Sequence, residues 1–361
     1  MKNKTKVIIV LFIIIILSTI LIHILIKNNY KGNILSEEYR SVLTKIDYKN
    51  EITYVIGHKS PDSDTVGSAI SYAYFLNQLG IKSEAAISGT PNKETSYALN
   101  FFNIKTPQII DDATEKQFVL VDHSEYSQAI NNMDKARIVG IIDHHGIGNV
   151  TNSELIYVRS SPMGSTASII YYMYKECAVE IPKDIARVML LSLISDTSNG
   201  TKKMTKADYI VYDDLVKIAD VDVNKLYNGM IDASLSYEGM TDKEIFNSDY
   251  KEYEIAGKKV AMGDINAKNS EKAKEIAKQM YKYMEDNYSL LGMDILLLKI
   301  DNNDETSKEK SYMIAYGQNS VELLKDIFNN YDGNMLFVFD RNISRKADII
   351  PAITKKLENN L

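Results

Sequence analysis

Hydrophobic and polar positions fall into three regimes along this chain. Residues Val7 to Ile26 form an almost unbroken apolar run, interrupted only by Ser18, Thr19 and His23. At ~20 residues such a run is long enough to cross a bilayer core. A cleaved signal peptide carries an apolar stretch of only ~7–15 residues with a small-residue cleavage site, and nothing of that kind follows here. A helix in the core of a soluble domain would not be apolar all round. The pattern therefore predicts a transmembrane anchor over residues 1–27, in contact with the membrane through residues 7–26. Residues 28–50 are polar apart from a short helical pattern from Glu37 to Ile46, and read as a linker that lifts the rest of the chain off the membrane.

In the second regime, residues 51–235, short apolar runs alternate with helical patterns. Ile52 to Ile56, Ser83 to Ile87, Phe118 to Val121 and Ile138 to Ile142 read as strands, and Val66 to Leu79 and Thr166 to Glu176 as helices. That alternation implies an α/β domain with a mostly parallel sheet covered by helices. After a polar joint at Ser236 to Asp249 the third regime, residues 243–361, reads as a smaller mixed α/β domain. Tyr250 to Ile255 and Lys259 to Gly263 flank a hairpin turn; a charged helix from Ser270 to Tyr288 follows. Strands at Asp294 to Ile300, Tyr312 to Tyr316 and Met335 to Phe339, with a helix from Val321 to Phe328, complete it. Asp301 to Glu305 reads as a solvated hairpin loop, lacking the glycine and glutamate spacing of a calcium loop.

Composition sets the outer limits. A chain of 361 residues with 45% hydrophobic content can bury more than one core. Its net charge of -6 argues against a nucleic-acid backbone as partner. The single cysteine, Cys177, has no partner for an internal disulfide.

The candidate chemistry sits where apolar runs end. Gly57-His58-Lys59-Ser60-Pro61-Asp62-Ser63-Asp64 joins the first strand to a helix, which places His58, Asp62 and Asp64 at the carboxyl edge of the sheet. One imidazole and two carboxylates make a site for a hard cation. A loop with a helix cap accounts for this stretch equally well, since Asp and Ser favour turns and helix N-termini. Two more strands end alike, on Asp122-His123 and on Asp143-His144-His145, and the apolar run Val188 to Thr197 delivers Asp196 at its polar end. Four of the five histidines lie at these three strand ends. Separate caps would have to be invoked four times over, so a shared metal site is the simpler reading.

In this order, His-x-x-x-Asp-x-Asp, Val-Asp-His, Asp-His-His and Ile-Ser-Asp-Thr, the motifs resemble the DHH phosphoesterase superfamily. The tail, Ile343-Ser344-Arg345-Lys346 followed by Ile350-Pro351, resembles the segment closing the second domain of family II, manganese-dependent inorganic pyrophosphatases. The similarity runs from about Tyr54 to the C-terminus and leaves the apolar head outside it.

The resemblance implies that the second domain closes over a two-metal site. His58 and Asp62 would ligate one ion, Asp64 and His144 the other, and Asp122 and Asp196 would bridge them. His145 would contact phosphate, with Asp143 orienting its neighbours, and Arg345 and Lys346 would neutralise substrate charge. Imidazole and carboxylate without thiolate suit Mn2+, Co2+ or Mg2+; the family points to Mn2+, with Mg2+ accompanying the substrate. The implied substrate is inorganic pyrophosphate or short polyphosphate. The alternatives are a short-chain exopolyphosphatase or another DHH phosphoesterase, and a membrane-tethered phosphate binder without turnover. A homodimer is one option for the assembly. One departure stands out: where the family carries a further phosphate-contacting lysine, the segment Gly229 to Ser234 offers Asp232.

For the anchor, Lys2, Lys4 and Lys6 precede the apolar run while Lys27, Lys31 and Arg40 follow it, a near tie under the positive-inside rule. A short lysine-bearing head is costly to translocate, whereas a long folded domain crosses largely regardless of charge. This favours an inside N-terminus and an extracytoplasmic catalytic domain, although the family's enzymes are typically soluble and cytoplasmic.

Overall fold

Val119 and Val121 pack on one side of their strand with Val55 and Ile142, and Phe118 and Leu120 on the other with Ile56 and Ile138. A strand buried on both faces needs apolar residues at consecutive positions, which is why these runs do not alternate with polar ones. The computed structural model to which they belong describes residues 17–18, 34–151, 154–202 and 204–359. It comprises two units, Met1–Ser234 and Leu235–Leu361.

The first unit contains, in order, α1 (34–44), β1 (Thr53–Ile56), α2 (Ser63–Gln78), β2 (Ser83–Ile87), α3 (Lys93–Phe102), β3 (Gln108–Ile109), β4 (Gln117–Val121), β5 (Arg137–Asp143), β6 (Tyr157–Ser160), α4 (Thr166–Glu176), α5 (Lys183–Asp196), α6 (Lys206–Ala219) and α7 (Val223–Ser234). Its strands pair in the order β3-β2-β1-β4-β5-β6, all parallel. The chain runs outward from β1 to β3, then returns to build the other half from β4. The crevice between the carboxyl ends of β1 and β4 is thus the topological switch point, where open α/β sheets bind ligands. His58 follows β1 and Asp122 follows β4.

α5 approaches α2 closely because Gly67 has no side chain: a Cβ there would lie 2.4 Å from Val188 O and 2.1 Å from Ser192 Oγ. Ser192 Oγ in turn donates to Ser63 O over 3.1 Å. This contact ties the helix that ends on Asp196 to the first turn of the helix that carries Asp64.

Over its described part, the linker expected at 28–50 is not a free spacer. Leu43 and Ile46 are buried in the same core as Val55 and Phe75, Arg40 Nε donates to Cys177 O (2.7 Å), and Tyr48 O accepts from Gln117 Nε2 (3.0 Å). Only one face of the segment packs, so its polar composition concealed the contact. The expected anchor lies outside the described residues apart from Leu17 and Ser18; among the described residues no helix is long and apolar enough to cross a membrane.

The second unit contains α8 (Asp242–Phe246), β7 (Lys251–Ile255), β8 (Lys258–Ala267), α9 (Ser270–Leu291), β9 (Ile295–Asn302), β10 (Ser311–Gly317), α10 (Ser320–Ile327), β11 (Phe337–Phe339) and α11 (Ile350–Glu358). The sheet order is β11-β10-β9-β8-β7, with β8 and β9 parallel and the other pairs antiparallel. Along β9, Leu296, Leu298 and Ile300 meet α9 on one face, while Ile295 and Leu297 pack with Leu324 and Ile353 on the other. Two sequence expectations are corrected here. The polar joint at Ser236 to Asp249 contains α8, whose Ile245 and Phe246 are buried. Asp301 and Asn302 belong to β9 instead of a solvated loop, and Asn302 is buried.

Candidate metal centre

Local chemistry places each acid before any long-range contact does. Asp62 is the N-cap of α2, its side chain accepting from Thr65 N over 2.9 Å. Its other carboxylate oxygen lies 3.3 Å from His58 Nε2. Gly57 allows this turn, since a Cβ there would meet the side chain of Thr65 at 2.3 Å. Asp64, wholly buried, accepts from Ser68 Oγ (2.9 Å) on its own helix and from Thr166 N (2.6 Å) and Ala167 N (3.1 Å) at the start of α4. A carboxylate at a helix N-terminus is held by the free N–H groups there.

Asp122 adopts a left-handed backbone, φ 61°, a conformation Asp tolerates better than most residues. Its Oδ2 accepts from Thr65 Oγ1 (2.9 Å) and lies 3.4 Å from His58 Nε2. Its Oδ1 lies 3.4 Å from His144 Nε2 and 3.6 Å from His145 Nδ1. His144 Nδ1 is taken by Met163 O (3.0 Å). Its Nε2, buried and without a hydrogen-bond partner, lies 3.4 Å from Asp196 Oδ2 and 3.8 Å from Asp64 Oδ2. One ring nitrogen tied to a carbonyl while the other is aimed at acids is the habit of a metal-ligating imidazole.

Ligand atoms fall into three overlapping groups: His58, Asp62 and Asp122; Asp64, His144 and Asp196; and Asp122, His144 and His145. Asp122 belongs to two of them and faces His58 with one oxygen and His144 with the other, whereas Asp196 groups with Asp64 and His144 alone. The separations of 3.3–3.8 Å compare with the roughly 3 Å between neighbouring ligands of an octahedral ion bonded at about 2.1 Å.

The charge balance of the donor set suits divalent cations. Burial, then Asp122, pushes the Asp64 carboxyl up to about 7. Burial, then Asp64 and Asp122, pushes Asp196 up to about 9. Burial pulls His58 and His144 down, yet Asp122, joined by Asp62 at His58 and by Asp64 and the Met163 carbonyl at His144, carries each up to about 10. Burial works against Asp122 too, but the two imidazoles hold it well below the usual carboxylate range. Carboxylates this close repel one another unless protons or cations intervene, and a dication would relieve all of them together.

His145 stands at the rim, half-exposed. Asp143 Oδ1 accepts from its N (3.0 Å) and Nδ1 (3.1 Å), and Asp143 Oδ2 accepts from Ser124 Oγ (3.0 Å). Asp143 raises the His145 pKa against the effect of burial. His123, the other strand-end histidine, turns its Nδ1 to Val121 O (3.0 Å) and joins none of the three groups. The sequence reading missed Thr65, Thr166 and Met163; a hydroxyl or a carbonyl in a loop carries no spacing signal of its own.

Arg345 and Lys346 belong to the second unit, where they open a π-helical turn, Arg345–Ile349, that Ser344 caps by accepting from Ala347 N (3.1 Å). Such turns concentrate at functional sites. Lys346 is exposed. Arg345 is only 9% exposed. Its guanidinium donates to Asp249 O (2.6 Å) and to both carboxylate oxygens of Asp249 (2.9 Å each). Two residues after Asp249, Lys251 opens β7 as an exposed cation. Asp232 is exposed on α7.

Residues 52–193 match the DHH family, N-terminal domain, and residues 228–356 match the DHHA2 domain. A probable manganese-dependent inorganic pyrophosphatase of Clostridium acetobutylicum is 34% identical over 311 residues, covering 85% of this chain and 99% of the relative. A manganese-dependent inorganic pyrophosphatase of Methanothrix thermoacetophila is 35% identical over 307 residues, covering 83% and 96%. A crystal structure from Methanococcus jannaschii, assigned as a family II inorganic pyrophosphatase, superposes with a TM-score of 0.53 at 30% identity and covers 85% of this chain and 99% of its own. With its strand-end acids and imidazoles gathered at one switch point, the chain belongs to the manganese-dependent, family II inorganic pyrophosphatases.

Proposed function

We propose that this protein hydrolyses inorganic pyrophosphate to two phosphates at a pair of divalent ions, Mn2+ foremost. His58, Asp62 and Asp122 hold one ion and Asp64, His144 and Asp196 the other. The observation that carries this reading is the carboxylate of Asp122, which offers one oxygen to each imidazole-acid group. When bound, such ions supply Lewis acidity toward phosphoryl oxygens and acidify water.

The chain's own groups do the rest. Asp143 fixes the His145 ring through Nδ1, leaving Nε2 for a phosphate oxygen. Thr65 and Thr166 hold Asp122 in place from two sides. Arg345 and Lys346 bind and neutralise the charge of the transferring phosphoryl group, and Mg2+ accompanies the substrate. The test is phosphate release by the purified protein with Mn2+, pyrophosphate and tripolyphosphate being compared. The expected result is a higher kcat/KM for pyrophosphate. Preference for tripolyphosphate would move the assignment to a short-chain exopolyphosphatase, and release from neither would leave a binding protein.

The apolar run Val7 to Ile26 anchors the enzyme in a membrane, with the lysine-bearing head inside and the catalytic part outside. Its length and composition support the anchor, and the cost of translocating the head supports the orientation. Protease added to intact cells is then expected to degrade the catalytic part. Protection until lysis would reverse the orientation.

A further inference from the structure

Ile343, two residues before the basic pair, is held by a network of a buried lysine and two partly buried acids in the second unit. Lys299 lies on β9 with a side chain only 6% exposed, in register with Asp264 on β8 and two residues from Asp301, hence on the same sheet face. Its Nζ lies 3.1 Å from Asp264 Oδ1 and donates to Asp301 Oδ2 (2.6 Å) and to Ile343 O (3.2 Å). The second oxygen of Asp301 accepts from Ser311 Oγ (2.7 Å), and Ser311 Oγ accepts from Ile343 N (3.3 Å). Both backbone groups of Ile343 therefore end on one network, and the next residue is Ser344.

Stability alone does not explain this arrangement. Keeping an ammonium charged inside a protein is costly, and well-packed apolar residues often serve the fold as well as a buried ion network does. Along the same strand, leucine and isoleucine fill positions 295–298. What the network provides is direction: it sets the Ile343 peptide, from which the Ser344 cap and the turn carrying Arg345 and Lys346 start. At the far end of the turn Ile349 N donates to Ser344 O (3.1 Å), so the turn has little freedom once Ile343 is set.

We propose that Lys299, held by Asp264 and Asp301, is a positioning residue which, with Ser311, fixes the direction in which Arg345 and Lys346 meet pyrophosphate. This rests on the reading of Arg345 and Lys346 as substrate contacts. Displacements of about 1 Å far from the chemistry can cost about 10²-fold.

The test is a double-substitution cycle in the full-length protein with Mn2+, reading kcat, KM and bound manganese. Lys299→Met is expected to lower kcat/KM by roughly 10- to 100-fold with bound manganese unchanged. Added to Arg345→Ala it should cost less than it does alone, because only its effect through Lys346 remains. Losses that multiply, or an unchanged kcat/KM in Lys299→Met, overturn the proposal. An Arg345→Ala variant as active as wild type would remove the underlying reading instead. Should Lys299→Met not fold, Ser311→Ala, which strands no buried charge, runs the same cycle. A smaller loss of up to about 10-fold, reduced on the Arg345→Ala background, supports the proposal; no loss, or an equal loss on that background, overturns it.

Discussion

Asp196→Asn is expected to reduce kcat/KM for pyrophosphate by at least about 10³-fold, a loss of about 4 kcal/mol in transition-state stabilisation, with a matching fall in bound manganese. Asp196 closes α5 and points one oxygen at His144, 3.4 Å away, so the amide removes a charge from the second metal group while keeping its shape. The metal-free protein is expected to be no less stable than wild type. Burial and the neighbouring acids push the Asp196 carboxyl up to about 9, so near neutral pH the metal-free fold already favours its uncharged form, which Asn imitates. Phosphate release, metal content and a thermal melt in chelator test all three statements. Near-wild-type hydrolysis with a full complement of manganese would return Asp196 to the role of a helix end.

Arg345→Ala is expected to lower kcat/KM by about 10²-fold, near 3 kcal/mol, and to leave bound manganese unchanged, since Arg345 lies in the other unit from every acid and imidazole of the metal groups. The variant also loses the forked pair with Asp249. That carboxylate is 53% exposed and water can solvate it once it is alone, so the cost to stability is smaller than for a fully buried pair. Arg345→Lys should recover only part of the activity, because an ammonium cannot reproduce the planar fork. Loss of manganese from Arg345→Ala would contradict a role confined to the substrate.

Much of the catalytic region could be read from local pattern. Strands of a parallel sheet end at one edge, so acids and imidazoles placed directly after apolar runs are brought toward one another without further information. The helix at Thr166–Glu176, the one read from Val66 to Leu79 and found at Ser63–Gln78, and the hairpin of β7 and β8 followed from periodicity and turn composition in the same way. The misreadings share a cause. At 34–48, at α8 and at Asp301-Asn302, a mostly polar stretch buries a few residues through contacts with distant parts of the chain, and composition averages those few away.

What the sequence indicated by itself is which groups stand where strands end and helices begin or end: His58, Asp62, Asp64, Asp122, His123, His144, His145 and Asp196. Only the tertiary structure decided how they are shared. The left-handed turn at Asp122 aims its two oxygens at different imidazoles. Asp64 is tied to the start of α4 across 102 residues, and Arg345 to Asp249 across 96. Periodicity reports which face of an element is buried, because burial repeats with the geometry of the backbone. Pairing between side chains far apart in the chain repeats with nothing, and exists only once the strands are laid side by side.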